Sequence, residues 1–256
     1  MRISIITPSY NQGRYIEDTI RSVMNQNHND VEHIVVDGGS SDDTVLILKK
    51  YPHLKWISEK DKGQSNAINK GFQMSTGQII SWINSDDFYE ENVFREIAEY
   101  FDFHPECQIL YGDITYVAKD GAFLRKVCGE TISYESLARS PDIVRQPSCF
   151  WRRSVVDELG GLDESLHIVM DFDFFLRVAE HCQFHYLNKN LSFFRSYGES
   201  KTNARQFRQA REFLKVYRKH RIRMDRHRLW FLAVRVLDSM GVGKTLRTLI
   251  RPFKPL

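Results

Sequence analysis

Three acidic stretches carry the side chains best placed by type and spacing to do chemistry. In Trp82-Ile83-Asn84-Ser85-Asp86-Asp87, two adjacent carboxylates follow an apolar run. Within a strand they would point to opposite faces, but in the loop after it both can reach one site. Oxygen ligands of this kind suit Mg²⁺ or Mn²⁺, which bind through one or two carboxylates and the phosphates of a substrate. The same acids would also sit well against the N-terminal dipole of a helix starting near Glu90. In Val36-Asp37-Gly38-Gly39-Ser40-Ser41-Asp42-Asp43-Thr44, glycines let the backbone approach a ligand. Asp37 can accept a hydrogen bond from a base or sugar there, while Asp42 or Ser41 can equally cap the next helix. In Met170-Asp171-Phe172-Asp173, the two acids cannot share a helix face. One is expected to enter a site, where a carboxylate can act as a general base, and the other to cap or pair.

The elements around these residues alternate. Apolar runs at Arg2–Thr7, His33–Val36, Leu54–Ile57, Gln78–Ile83 and Gln108–Tyr111 read as strands. Between them Arg14–Gln26, Asp43–Tyr51, Ser65–Met74 and Glu91–Phe103 have helical apolar spacing. That alternation predicts an α/β fold with a mainly parallel central sheet covered on both faces. Ligands of such sheets bind beyond the carboxyl ends of the strands, which is where Thr7–Asn11, Asp37–Ser41 and Asn84–Asp87 fall. After Asp113 the pattern changes. Ile114–Val117 and Phe123–Val127 flank the turn Lys119-Asp120-Gly121 as a hairpin. Helices are expected at Ser133–Arg139, Ser154–Leu159 and Asp171–His181, a strand near Ser148–Trp151, and closing strands at Phe184–Leu187 and Leu191–Phe194. Residues 1–200 read as one domain, divided into halves 1–112 and 113–200.

Taken in order, Thr7-Pro8-Ser9-Tyr10-Asn11, the Asp37 stretch, Asp61-Lys62-Gly63-Gln64 with Ala67-Ile68-Asn69-Lys70-Gly71, Asn84-Ser85-Asp86-Asp87, Gly161-Leu162-Asp163 and the Asp171 stretch resemble a family 2 glycosyltransferase. The resemblance covers roughly residues 1–200. It implies a GT-A fold and an inverting reaction on a nucleotide-diphospho-sugar, with a UDP-sugar as the first expectation. Thr7, Pro8 and Tyr10 would then line the nucleobase pocket, and Asp37 would accept from the base. Asp61 and Asn69 would help close the donor site. Asp86 would face the ribose or sugar, Asp87 would hold Mg²⁺ or Mn²⁺, and Asp171 would be the catalytic base. On the acceptor side Gln146 would bond, and Trp151 stack on, a saccharide or lipid-linked saccharide; core packing is the other reading of Trp151.

Two positions depart from the family's pattern. Met170 stands where relatives often carry an acid before the base. Tyr197 stands in Arg195-Ser196-Tyr197-Gly198-Glu199-Ser200 where many have a histidine. Tyr197 cannot supply an imidazole, so metal coordination is expected to rest on Asp87, diphosphate oxygens and water and to be weaker; the alternative is that Arg195 or Lys201 supplies positive charge to the diphosphate. A sugar-nucleotide-binding protein without transferase activity is the alternative these departures leave open. A nucleotidyltransferase is the other; against it, no glycine-rich loop bearing Arg and Lys follows the first strand.

Charge divides the chain. Residues 1–200 carry 20 basic and 30 acidic side chains, and residues 201–256 carry 16 basic and 3 acidic. The second segment, net +13, has apolar positions Ala204, Phe207, Ala210, Phe213, Leu214 and Tyr217 at helical spacing. It reads as a basic amphipathic helical extension that lies on an anionic membrane surface, packs on the body or forms a homo-oligomer; nucleic acid is not expected. The 42% hydrophobic content excludes a disordered chain. Four cysteines at least 21 residues apart exclude a Cys-x-x-Cys zinc site. With no signal peptide or spanning segment visible, the expected location is cytoplasmic, peripheral on the inner face of the cell membrane.

Overall fold

A computed structural model describes residues 1–141, 143–197 and 206–239. They fall into two compact units, Met1–Tyr197 and the described part of Gly198–Leu256.

The first unit begins with β1 (Ile3–Ser9), α1 (Ile16–Met24), β2 (Val31–Asp37), α2 (Thr44–Leu48), β3 (Lys55–Ser58), α3 (Gln64–Met74) and β4 (Ile79–Trp82). Every residue of β1 and β4 is buried, as parallel strands covered on both faces must be. The order β3-β2-β1-β4 is parallel throughout. On α1 the buried positions Ile16, Thr19, Ile20 and Val23 make one helical stripe. Ile16 and Ile20 pack with Val35 of β2 and with Ile47 and Leu48 of α2. The helix α3 covers the sheet through Ala67, which packs on Ile34 and Val36. Close approach is possible there because residue 71 is glycine: a Cβ would lie 2.3 Å from Cγ2 of Ile6.

The second half contains β5 (Phe88–Tyr89), α4 (Phe94–Phe103), β6 (Ile109–Val117), β7 (Phe123–Val127), α5 (Tyr134–Arg139), a 3-10 turn (Gln146–Ser148), β8 (Cys149–Arg152), α6 (Arg153–Leu159), α7 (Met170–Ala179) and β9 (Phe184–Arg195). The sheet continues β4-β8-β6-β9-β5, with β7 on β6. Here β8 is antiparallel to both β4 and β6, while β9 is parallel to β6. The sheet is thus parallel in its first half and mixed in its second, and most of its paired residues are in parallel ladders, as expected. Two differences have one cause. The runs expected as separate strands around Asp113, and around Asn188–Asn190, are continuous in β6 and β9. Register shifts at Gly112–Ile114 absorb the polar interruption without breaking the pairing. The short β5 lacks any length signal; it exists because Phe88 and Tyr89 pair with Phe193 and Ser192, with the Phe88 and Phe193 rings stacked at 4.7 Å.

The second unit contains α8 (Gln206–Lys219) and α9 (Arg226–Ser239). Phe213 and Phe231 meet edge to face at 5.2 Å, closing a helical hairpin. Among the described residues, no helix is long and apolar enough to cross a membrane.

Candidate functional site

The loops after β1, β2 and β4 meet at the carboxyl end of the parallel strands. Asp37 ends β2, fully buried. Its Oδ2 accepts from the N–H of Ser40 at 2.9 Å, from the N–H of Gly39 at 3.2 Å and from Oγ of Ser58 at 2.6 Å; its Oδ1 accepts from Oγ of Ser40. The carboxylate therefore shapes the glycine loop from within and retains acceptor capacity on Oδ1. Asn11 adopts a left-handed conformation, φ 53°, which asparagine tolerates. Its N–H donates to Oγ of Ser40 at 2.7 Å and its Oδ1 accepts from the N–H of Ser41 at 2.9 Å. Asp42 accepts from the N–H of Gly13 at 2.9 Å and the N–H of Thr44 at 3.0 Å. Desolvation opposes its ionisation, but these bonds and that from Thr44 Oγ1 outweigh it and hold the carboxyl below its ordinary value.

Asp61 lies against this loop. Its Oδ1 accepts from the N–H of Gly63 at 2.8 Å, and a Cβ on Gly38 would fall 2.7 Å from its Oδ2. Glycine at 38 is what lets the two segments touch.

The loop after β4 holds the paired acids. Asp87 is 1% exposed. Its Oδ1 accepts from the main-chain N–H of Arg195 at 2.9 Å, and its Oδ2 from Nδ2 of Asn84 at 3.2 Å. Asn84 is itself oriented by Gln64, whose Nε2 donates to Oδ1 of Asn84 at 2.6 Å. Oγ1 of Thr19 donates to the Asp87 carbonyl at 2.6 Å. Burial, and then the neighbouring Asp86 charge, push the Asp87 carboxyl well above the ordinary carboxylate range despite those donors. Asp86 is half-buried and accepts from the Tyr197 hydroxyl at 2.7 Å. Burial, and then that bond, raise the Tyr197 phenol above its ordinary value.

Arg195 is 6% exposed and wholly committed. Its guanidinium donates to the Asp86 carbonyl at 3.0 Å, the Lys119 carbonyl at 2.9 Å and Oδ2 of Asp18 at 2.8 Å, and lies 4.9 Å from the Tyr15 ring centroid. It supports the acidic loop and is not available as the diphosphate's cation, which corrects that expectation. Lys201, the other candidate, lies outside the described residues.

Four further expectations change, at Thr7, Asn69, Trp151 and Gln146. Thr7 is fully buried, with Oγ1 2.9 Å from Nε2 of His33, so its side chain does not line an open pocket. Ser9, at the end of the same strand, has a buried Oγ without a hydrogen-bond partner among the described residues. Pro8 is buried, whereas Tyr10 is 62% exposed at the strand end. Asn69 clamps a loop instead of facing a ligand: its Nδ2 donates to the Leu162 carbonyl at 2.9 Å and its Oδ1 accepts from the Leu162 N–H at 2.8 Å. Trp151 is fully buried among Trp82, Phe72 and Phe174, at 5.0, 6.3 and 5.4 Å, so it cannot stack on a sugar. Gln146 is buried too, and its Nε2 donates to the Trp82 carbonyl at 2.5 Å.

Asp171 stands in the first turn of α7, half-buried, with Oδ1 accepting from the Phe172 N–H at 2.8 Å. Its neighbour Cys149 has a thiol pushed well up, by burial first and by the Asp171 charge second. The Cys149 carbonyl accepts from Oγ of Ser81 on β4 at 2.7 Å, so the β8 residue next to Asp171 is tied to the strand that precedes the Asp86–Asp87 loop. Asp173, fully buried, pairs with Arg177 at 3.3 Å. Of the two acids, Asp173 is shown to pair. Gln64, Asn84 and Ser9 are site residues that sequence reasoning left without a role. All three lie inside the quoted motifs, but an uncharged side chain gives no signal of the partner it will meet.

A metal ion can be tested against these residues. Among the described residues no three His, Cys, Asp or Glu side chains gather as a ligand set. Asp87 nonetheless carries a buried carboxylate beside a second acid, and a cation would offset both penalties on its ionised form. The residues fit a divalent ion held by Asp87 that draws its other oxygens from substrate phosphates and water.

The model of the family described as Glycosyl transferase family 2 matches residues 4–160. Chondroitin synthase of Escherichia coli is 28% identical over 191 residues, covering 73% of this chain and 28% of that protein. This chain thus spans under a third of that relative's length. Among solved structures, Staphylococcus aureus TarS 1–349 in complex with UDP-GlcNAc superposes with a TM-score of 0.67 at 17% identity, over 99% of this chain and 76% of that one. A mannosyltransferase of Pyrobaculum calidifontis, PcManGT, in complex with GDP-Man and Mn²⁺, gives 0.64 at 15% identity, over 99% and 76%. Both likenesses are likenesses of fold, and the fold is GT-A.

Proposed function

The chain belongs to glycosyl transferase family 2, and from that premise we propose that it transfers a sugar from a nucleoside-diphosphate sugar to an acceptor hydroxyl with inversion at the anomeric carbon. The observation that carries the reading is the Asp86–Asp87 pair at the end of β4, with one carboxylate buried and held ready by Arg195, Asn84 and Gln64. Fixed acids beside an anionic diphosphate make sense only with a cation between them. The UDP-GlcNAc and GDP-Man bound by the two structural neighbours support a nucleotide-sugar donor. The chondroitin synthase supports a saccharide acceptor, free or lipid-linked, in polysaccharide assembly.

In this reading Tyr10 stacks on the nucleobase and Asp37 accepts from it. Asp86, set by the Tyr197 hydroxyl, faces the ribose or sugar. When bound, Mg²⁺ or Mn²⁺ would be held by Asp87 and would neutralise charge gathering on the leaving diphosphate. Asp171 takes the proton of the acceptor hydroxyl as its oxygen attacks the anomeric carbon from the face opposite the diphosphate. The Phe172 N–H, bonded to Oδ1 of Asp171, helps fix the carboxylate's direction. The buried Asn84 and Arg195 contacts keep Asp87 from turning away, so the site is built before substrate arrives.

A thermal-shift screen of UDP-, GDP- and dTDP-sugars with Mn²⁺ or Mg²⁺ tests this. A ligand that binds only the folded state raises its stability, and the expected result is a shift that requires sugar nucleotide and metal together. No shift with any nucleotide would contradict the reading.

A further inference from the structure

The hairpin of α8 and α9 has no part in the chemistry above, yet its surface is specialised. On α8 the exposed residues Arg208, Arg211, Lys215 and Arg218 recur at steps of three and four, so they form one continuous stripe. The buried residues Ala210, Phe213 and Tyr217 occupy the opposite face. At the turn, Arg221 and Arg223 are exposed, and Arg226 opens α9. Three, four and seven residues after Arg226 come Leu229, Trp230 and Ala233, all on its exposed side, with Leu229 56% and Trp230 49% exposed. The two carboxylates whose side chains are described here are taken by arginines of the hairpin itself: Glu212 by Arg208 at 3.1 Å and Asp225 by Arg228 at 2.8 Å.

We propose that this hairpin docks on the anionic headgroups of a lipid bilayer, with the α8 stripe and the basic turn against the phosphates and Leu229 and Trp230 seated in the interface. Charge complementarity names the occupant: a row of cations wants a surface of anions, and an indole beside a leucine wants the boundary between headgroup and acyl chain. Nucleic acid would satisfy the cations but gives an exposed leucine nothing apolar to enter. The hairpin lies on the membrane without crossing it. Among the described residues no helix is long and apolar enough to cross a bilayer. The inference does not depend on the glycosyltransferase reading, because none of these residues belongs to the donor site.

The test is flotation of the full chain with two sets of vesicles, phosphatidylcholine alone and phosphatidylcholine with an equal part of phosphatidylglycerol. Binding is expected only to the anionic set and should fall as salt rises. The triple variant R211E/K215E/R218E should bind the anionic vesicles at least a hundredfold more weakly, since each Lys or Arg at such a surface contributes about a factor of five or more. The variant L229S/W230S should float less in high salt, where the apolar contact carries what remains. Both variants should keep the parent's circular dichroism and its rate of nucleoside-diphosphate release from a donor in solution, which separates failure here from failure of the enzymatic reading. Equal flotation on neutral vesicles, flotation unchanged by the triple variant, or retention by single-stranded RNA in the absence of any vesicle binding would each overturn the proposal.

Discussion

The main-chain N–H of Arg195 donates to Oδ1 of Asp87 at 2.9 Å, so the last strand of the first unit holds the acid that follows its fourth. The same residue reaches forward with its guanidinium to the Asp86 carbonyl and sideways to Asp18. One residue thus sets both acids. Arg195→Ala should keep the main-chain bond and lose the other contacts. The expected outcome is an apparent Mn²⁺ affinity lower by roughly 10- to 100-fold, the usual effect of removing a group that orients a metal ligand. Arg195→Lys should not rescue it, since one ammonium cannot reproduce a fork aimed at three acceptors. Metal titrations of donor turnover check both.

Asp171 is expected to act only in the chemical step. Asp171→Asn keeps the shape and removes the base, and turnover should fall about 10²- to 10⁴-fold. The thermal shift produced by nucleotide sugar and metal should survive. Loss of the shift together with turnover would assign Asp171 to binding.

Two aromatic residues separate packing from binding. Trp151 fills the centre of the second half, against Trp82 and Phe174. Trp151→Ala should cost about 3–5 kcal/mol of stability, read by denaturant melts. Tyr10 is exposed at the strand end. Tyr10→Ala should change stability by no more than about 0.5 kcal/mol while raising the KM for the donor.

Acid should destabilise the first unit in two windows that overlap between about pH 4.5 and 3. Burial, and then the His53 charge, depress His33 to about 3 from an ordinary 6.5. The unfolded chain therefore binds the extra proton first, and stability falls with pH from 6.5 toward 3, at up to about 1.4 kcal/mol per pH unit. His33→Gln should flatten that limb. For Glu32, burial opposes ionisation, but bonds from Lys55, Ser4 and Thr76 outweigh it and bring the carboxyl to about 2 from 4.5. Its contribution is complete above 4.5 and lost as pH falls toward 2. Glu32→Gln should cost about 2 kcal/mol at neutral pH and nothing at pH 2. Urea melts across pH check both signs.

Much of this was legible in the residues, for physical reasons. Buried parallel strands are continuously apolar, so Ile3–Thr7 and Ile34–Val36 announce themselves, and turn acids such as Asp37 and Asp87 must follow them. Asp173 and Asp171 are separable because two helix positions 200° apart cannot share a face. What was not legible depends on tertiary partners. The bulges that make β6 and β9 continuous arise from pairing, not from local pattern. A tryptophan such as Trp151 has the same composition signal in a core as on a sugar platform. Arg195 looked like a phosphate ligand because nothing local reveals that Asp18, 177 residues earlier, already holds it. Thr7 and Ser9 share one strand, and only the position of His33 decides which hydroxyl is satisfied.

The most direct measurement incubates the full chain with a nucleotide sugar identified by thermal shift, Mn²⁺ and a saccharide acceptor, and follows both phosphorus products and the anomeric configuration of the new bond by NMR. The account predicts release of nucleoside diphosphate, an inverted glycosidic linkage, and loss of both in excess EDTA and in Asp171→Asn. Release of pyrophosphate, a retained configuration, or donor binding without any transfer to a panel of acceptors would contradict it.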